Sequence, residues 1–207
     1  MQVVSNVDWT KDKSIYDNFF KWHPRYNELL MKVQKLEVRD ITLVVSDFDD
    51  TLYWRYEQLQ SVLLAANRWK DWNILIEEKL WWYKICADRF FDSSKLVWKI
   101  VEKIRNNISL ILSAWIEEYQ NYKIENVWLD DLPRVIVGNH LDKPLALLEY
   151  LIDELWFIPS KIEFYDDRAE ELLDDFKKLS SLLNNKISVF KVMLDKMKFG
   201  SMEELTY

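Results

Sequence analysis

Ile41 to Val45 form an apolar, largely β-branched run, the pattern of a strand buried on both faces of a parallel sheet. Upstream, residues 1–40 begin polar and then carry an amphipathic stretch from about Ile15 to Leu36, broken near His23-Pro24. That stretch predicts an N-terminal helical extension packed on the core. After Leu52 the pattern turns helical for about eighty residues. Segments 57–68 and 73–91 read as helices, the second carrying Trp81, Trp82 and Tyr83 as core aromatics. Asp92-Ser93-Ser94 supplies an N-cap signal, and Leu96, Ile100, Ile104, Ile108, Leu112 and Ile116 then repeat at i+4. This spacing predicts one face of a long helix, or of two consecutive ones.

From Pro133 strand and helix alternate. Arg134 to Gly138 is a short apolar strand, and Lys143-Pro144 opens a helix with the stripe Leu148, Leu151, Ile152 and Leu155. Lys161 to Tyr165 is the next strand, followed by a helix through about Leu183 and a strand over Ile187 to Leu194. The tail from Asp195 is polar and is expected to be weakly ordered. Strand, helix, strand, helix, strand implies right-handed crossovers and a parallel sheet. The predicted class is therefore α/β, a Rossmannoid parallel sheet with helices on both faces. Its core would span 41–53 and 133–207, with 54–132 inserted as a helical segment and 1–40 as the extension.

Charge narrows the function classes. A formal net charge of −7 and a pI near 5.0 argue against nucleic acid or an anionic membrane as partner. Cys86 is the single cysteine, so no intrachain disulfide forms and a reducing compartment is expected. The opening residues show no secretory signal, and no apolar run approaches the roughly 20 residues of a membrane helix. A cytoplasmic protein is the expectation; oligomeric state is not legible.

One compositional feature is abnormal: 11 Trp stand beside 2 Gly, where Gly ordinarily supplies about 7% of a chain. Together they approach the glycine share of an ordinary α/β domain. Trp156 follows the helix ending at Leu155 and precedes Phe-Ile-Pro, the place where a left-handed glycine ends many helices. Trp69 and Trp72 bracket Lys-Asp in a loop. The pattern fits a gene in which UGA means glycine and has been translated as tryptophan.

The chemistry concentrates in Val44-Val-Ser-Asp-Phe-Asp-Asp-Thr-Leu52, where the first strand runs into Asp47, Asp49, Asp50 and Thr51. Open α/β sheets bind ligands beyond the carboxyl ends of their strands. A turn needs one acid there, not three whose mutual repulsion raises their cost. The stretch resembles the first motif, Asp-x-Asp-x-Thr, of the haloacid dehalogenase-like (HAD) phosphohydrolases, which Asp47, Asp49 and Thr51 match. The resemblance implies that Asp47 is a nucleophile forming an aspartyl-phosphate and that Asp49 is the general acid and base. It also implies that the helical insertion is a C1-type cap over the active site.

The remaining family motifs follow in order. The second, a Ser or Thr ending the second strand, has no counterpart at Gly138-Asn139-His140. Gly138 and the Asn139 amide would then contact the phosphate, or the site would be weakened. Lys143 fits the third motif, an ammonium that pairs with Asp47 and phosphate; Lys161 is the lesser candidate. Asp166 and Asp167 fit the fourth, completing with Asp47 and Asp49 a carboxylate set suited to Mg2+. The run Leu155 to Lys161 resembles the family's Leu-Gly-hydrophobic-x-Pro linker. The implied function is Mg2+-dependent hydrolysis of a small phosphorylated substrate, a phosphate monoester. The alternative is a catalytically impaired domain of this type that binds a phosphorylated ligand or a protein partner.

Overall fold

The computed structural model of the protein describes residues 25–54, 91, 93–193 and 200–206. The helix expected at 57–68, all but Phe91 of the one expected at 73–91, and Trp69, Trp72, His23 and Cys86 lie outside the described residues. In chain order the elements are α1 (Tyr26–Val33), β1 (Val38–Ser46), α2 (Trp98–Arg105), β2 (Ile108–Ala114), α3 (Glu117–Asn126) and β3 (Arg134–Val137). Then come α4 (Lys143–Tyr150), continued as one wider turn over Leu151–Leu155, β4 (Ile158–Asp166), α5 (Leu173–Leu183), β5 (Lys186–Met193) and β6 (Ser201–Leu205).

These strands form one six-stranded sheet in the order β3-β2-β1-β4-β5-β6. Every neighbouring pair is parallel except β5 and β6. The arrangement is a Rossmann-like α/β fold. Side chains alternate between two cores, as a pleated strand requires. Leu43 and Val45 of β1, Leu110 and Leu112 of β2, and Ile162 and Phe164 of β4 face α1, α4 and α5. Val44, Ile111 and Tyr165 face the opposite way, toward α2 and α3. Helices therefore cover both faces.

The main correction concerns 96–116. Only Trp98–Arg105 is helical; Asn106-Asn107 turns the chain, and Ile108–Ala114 is the interior strand β2. A spacing of four suits a helix of 3.6 residues per turn, but it is also a multiple of the strand's period of two. Ile108 and Leu112 fit both patterns. Residues 98–132, expected in the inserted cap, therefore belong to the sheet and to the layer covering it. β1 begins at Val38, inside the expected extension. The tail expected to be weakly ordered contributes β6, which pairs antiparallel with β5 from Val189↔Leu205 to Met193↔Ser201.

α1 docks by burying Leu29 and Val33. Arg25 reaches Glu149 and Asp153 at 3.0 Å each, and Lys32 reaches Asp153 at 2.9 Å. Such half-exposed pairs contribute little beside the apolar contact. Glu163 on β4 is better enclosed, accepting from Lys103 at 2.8 Å and the Tyr165 hydroxyl at 2.6 Å, with Lys161 at 2.5 Å. Burial pushes its carboxyl up, but these three partners outweigh burial and hold its pKa at about 2.

The folded chain thus keeps Glu163 ionised at pH values where the unfolded chain, with a pKa near 4.5, binds a proton. Its contribution to stability is complete above that value and is lost as pH falls toward about 2. Glu163→Gln should lower stability at pH 7 and flatten the decline across that acid window. Urea unfolding at several pH values checks this, and parallel wild-type and variant curves would contradict it.

Candidate active site

Three parallel strand ends converge. The chain leaves β1 for β2 on one side and returns from β3 through α4 to β4 on the other, so a crevice opens beyond the carboxyl ends of β1 and β4. The register Ser46↔Tyr165 puts Asp47 and Asp166 at neighbouring strand ends. Asp47 donates its backbone N–H to the Tyr165 carbonyl at 2.9 Å. Thr51 Oγ1 accepts from the Asp167 N–H at 2.9 Å, which ties the loop after β1 to the loop after β4.

Asp47 is buried, and both its oxygens are engaged. Oδ1 accepts from the Phe48 N–H at 2.7 Å and from the Ser113 hydroxyl at 2.7 Å. Oδ2 lies 3.0 Å from the Lys143 ammonium. Lys143 Nζ also donates to Asp166 Oδ2 at 2.7 Å, and Asp166 Oδ1 accepts from the Arg168 N–H at 2.7 Å. Burial pushes the Asp47 carboxyl up; Lys143 opposes this while Asp166 and Asp49 add to it, leaving it raised. Burial pulls the Lys143 ammonium down, but the Asp47 and Asp166 carboxylates outweigh burial and its pKa is raised. Lys143 therefore stays charged at neutral pH.

The structure brings Asp47, Lys143, Asp166 and Asp167 together. One oxygen each of Asp47, Asp166 and Asp167 lies within 4.8 Å of the others, and such a set of hard oxygens suits a divalent cation. Asp49 stands outside that group of three because its carboxylate turns toward α3. There Lys123 Nζ sits 2.7 Å from Oδ1 and 2.5 Å from Oδ2, and the Gln120 amide donates to Oδ2 at 2.9 Å. Aromatic rings surround the ammonium: Tyr119 at 4.8 Å, Phe91 at 5.4 Å, Phe48 at 5.5 Å and Trp115 at 5.7 Å. Lys161 pairs with Glu163 away from the site.

A cavity of about 500 Å³ opens on these groups, lined among others by Asp47, Asp49, Trp115, Gly138, Asn139 and Arg168. That volume suits a small ligand. Asn139 Oδ1 is occupied in accepting from the Leu141 N–H at 3.0 Å, capping the turn before α4. His140 also lines the cavity, its Nδ1 3.8 Å from Asp166 Oδ2. Burial, then the Lys143 and Arg168 charges, hold its pKa down at about 4, so its imidazole is neutral at pH 7.

Sequence reasoning missed Ser113, Gln120 and Lys123. The hydroxyl sought after Val137 sits instead at the end of β2, because β3 is the edge strand and β2 lies beside β1. The run Ile108 to Ala114, bounded by Asn106-Asn107 and ending in Ser-Ala, carried that signal. Gln120 and Lys123 are three apart on α3 and so share a face. Compared with family models, with curated proteins and with solved structures, the chain matches none.

Removing one partner of a buried ion pair strands the other's charge. Lys123→Met should cost roughly 3 kcal/mol of unfolding free energy, and adding Asp49→Asn should recover most of it. Urea unfolding of the two single variants and the double variant measures the coupling; additive losses would refute it.

Proposed function

We propose that the protein is a Mg2+-dependent HAD-like phosphohydrolase that cleaves a phosphate monoester through an aspartyl-phosphate on Asp47. The observation that carries this reading is the setting of Asp47: buried at a strand end, with Ser113 on one oxygen, Lys143 beside the other, and Asp166 and Asp167 adjoining. The Ser113 hydroxyl, 2.7 Å from Asp47 Oδ1, stands where this reading needs the hydroxyl absent after Val137, which favours a competent site over an impaired one.

Mg2+ held by Asp47, Asp166 and Asp167 would neutralise phosphate charge so that a carboxylate can approach phosphorus. An Asp47 oxygen attacks phosphorus as the ester P–O bond breaks in line with it. Asp49, once one oxygen has left Lys123 and taken up a proton from solvent, gives that proton to the departing alkoxide and then takes one from water. That water's oxygen attacks phosphorus, the Asp47–phosphorus bond breaks, and inorganic phosphate leaves. Asp49 exchanges protons only when one of its oxygens leaves Lys123. The Ser113 hydroxyl and the Lys143 ammonium orient Asp47 and the transferring phosphoryl group. His140, neutral, adds no charge to the cavity wall.

The full chain should hydrolyse p-nitrophenyl phosphate with Mg2+, and EDTA should abolish the activity. Asp47→Asn should lower kcat by about 10³-fold or more, the scale of losing a covalent nucleophile. Ser113→Ala should cost about 10²-fold, as the loss of one positioned donor does. A wild-type chain without metal-dependent hydrolysis, or an Asp47→Asn variant of undiminished activity, would defeat the proposal.

A further inference from the structure

A left-handed backbone suits glycine and is tolerated by Asn and Asp, whereas any other side chain brings its Cβ against the following carbonyl. Among the described residues, positive φ occurs at Asp50, Asn184 and Gly200, which are such residues, and at three tryptophans. Trp115 has φ 133°, Trp128 62° and Trp156 63°.

Backbone hydrogen bonding accompanies each of these conformations. α3 ends with the Trp128 N–H donating to Glu125 at 3.0 Å and the Leu129 N–H to Ile124 at 3.2 Å. This is the paired closure that places a left-handed residue, usually glycine, at the position of Trp128. Leu129 and Ile124 are both buried, which completes that motif. The extended α4 ends with the Trp156 N–H donating to Leu151 at 2.9 Å. Trp115, directly after the strand end that carries Ser113, donates to Val137 at 2.8 Å. No packing offsets the strain at two of these sites, since Trp128 and Trp156 are 72% and 71% exposed. The third indole packs edge-on against Tyr119 at 5.7 Å and narrows the cavity beside Asp49.

Together with 11 Trp against 2 Gly in the chain, this geometry points to a substitution in decoding. We propose that positions 115, 128 and 156 are glycine in the polypeptide made by the organism that carries the gene, their UGA codons being read there as glycine. Glycine at 115 removes an indole from the cavity wall, so the native site is wider than a tryptophan-bearing chain allows.

Tandem mass spectrometry of the protein isolated from its source should read glycine at all three positions, over UGA codons. Tryptophan at any of them, or a UGG codon, overturns the proposal. Independently, thermal unfolding of the full chain should show Tm rising by roughly 5 °C or more when all three are changed to glycine. Trp156→Ala, which removes the indole but keeps Cβ, should give none of the gain made by Trp156→Gly. A glycine-bearing chain that melts below the tryptophan-bearing one, or an alanine variant equal to the glycine variant, also overturns it.

Discussion

A buried ammonium between two buried carboxylates is the interaction on which the site depends. Parallel pairing of β1 with β4 forces Asp47 and Asp166 to neighbouring strand ends. Two ionised carboxylates so close, and out of water, would repel each other and lose hydration together. Lys143 spans them at 3.0 and 2.7 Å. It can do so because the chain, on leaving β3, turns into α4 directly over those ends. The crossover that makes the sheet parallel is therefore the same element that makes its acidic rim tolerable.

A second pair works from the other face. α4 packs in the core that holds Leu43 and Val45, whereas α3 packs in the core that holds Val44. Lys143 and Lys123 thus grip Asp47 and Asp49 from opposite sides of β1. Between them the loop closes on itself, the Phe48 carbonyl accepting from the Leu52 and Tyr53 N–H groups at 3.0 and 2.9 Å. Neighbouring carboxylates two residues apart are thereby sent in different directions. Asp47 faces the oxygen cluster with Asp166 and Asp167, and Asp49 faces α3 and its aromatic surround.

Much of this was legible in the chain. The β-branched run ahead of Asp47, the acids after Tyr165 and the lysine before Pro144 each carry a local signal, and the sheet brings all three to one rim. β2 was hidden because Ile104, Ile108 and Leu112 satisfy helical and strand spacing alike, and only tertiary burial between β1 and β3 decides between them. Ser113 was lost with it, since a hydroxyl acquires meaning only once its strand is known. Lys123 reads locally as an ordinary helix-surface lysine; its burial comes from Phe48, Phe91, Trp115 and Tyr119, rings that only the fold gathers around it. β6 was missed because its alternation is short and partly charged, as an edge strand permits.

The two flanks of the described sheet are closed by different means. β6 covers the side of β5 and is itself only five residues long, with Glu203 and Glu204 exposed on it, charges that discourage strand addition. At the other flank β3 is four residues long and follows Pro133, which has no N–H to offer. Neither border of the sheet gives a passing chain a long ladder to extend. Clumping through strand addition is thus disfavoured at both borders, a safeguard for a protein whose inner strands bury so many apolar side chains.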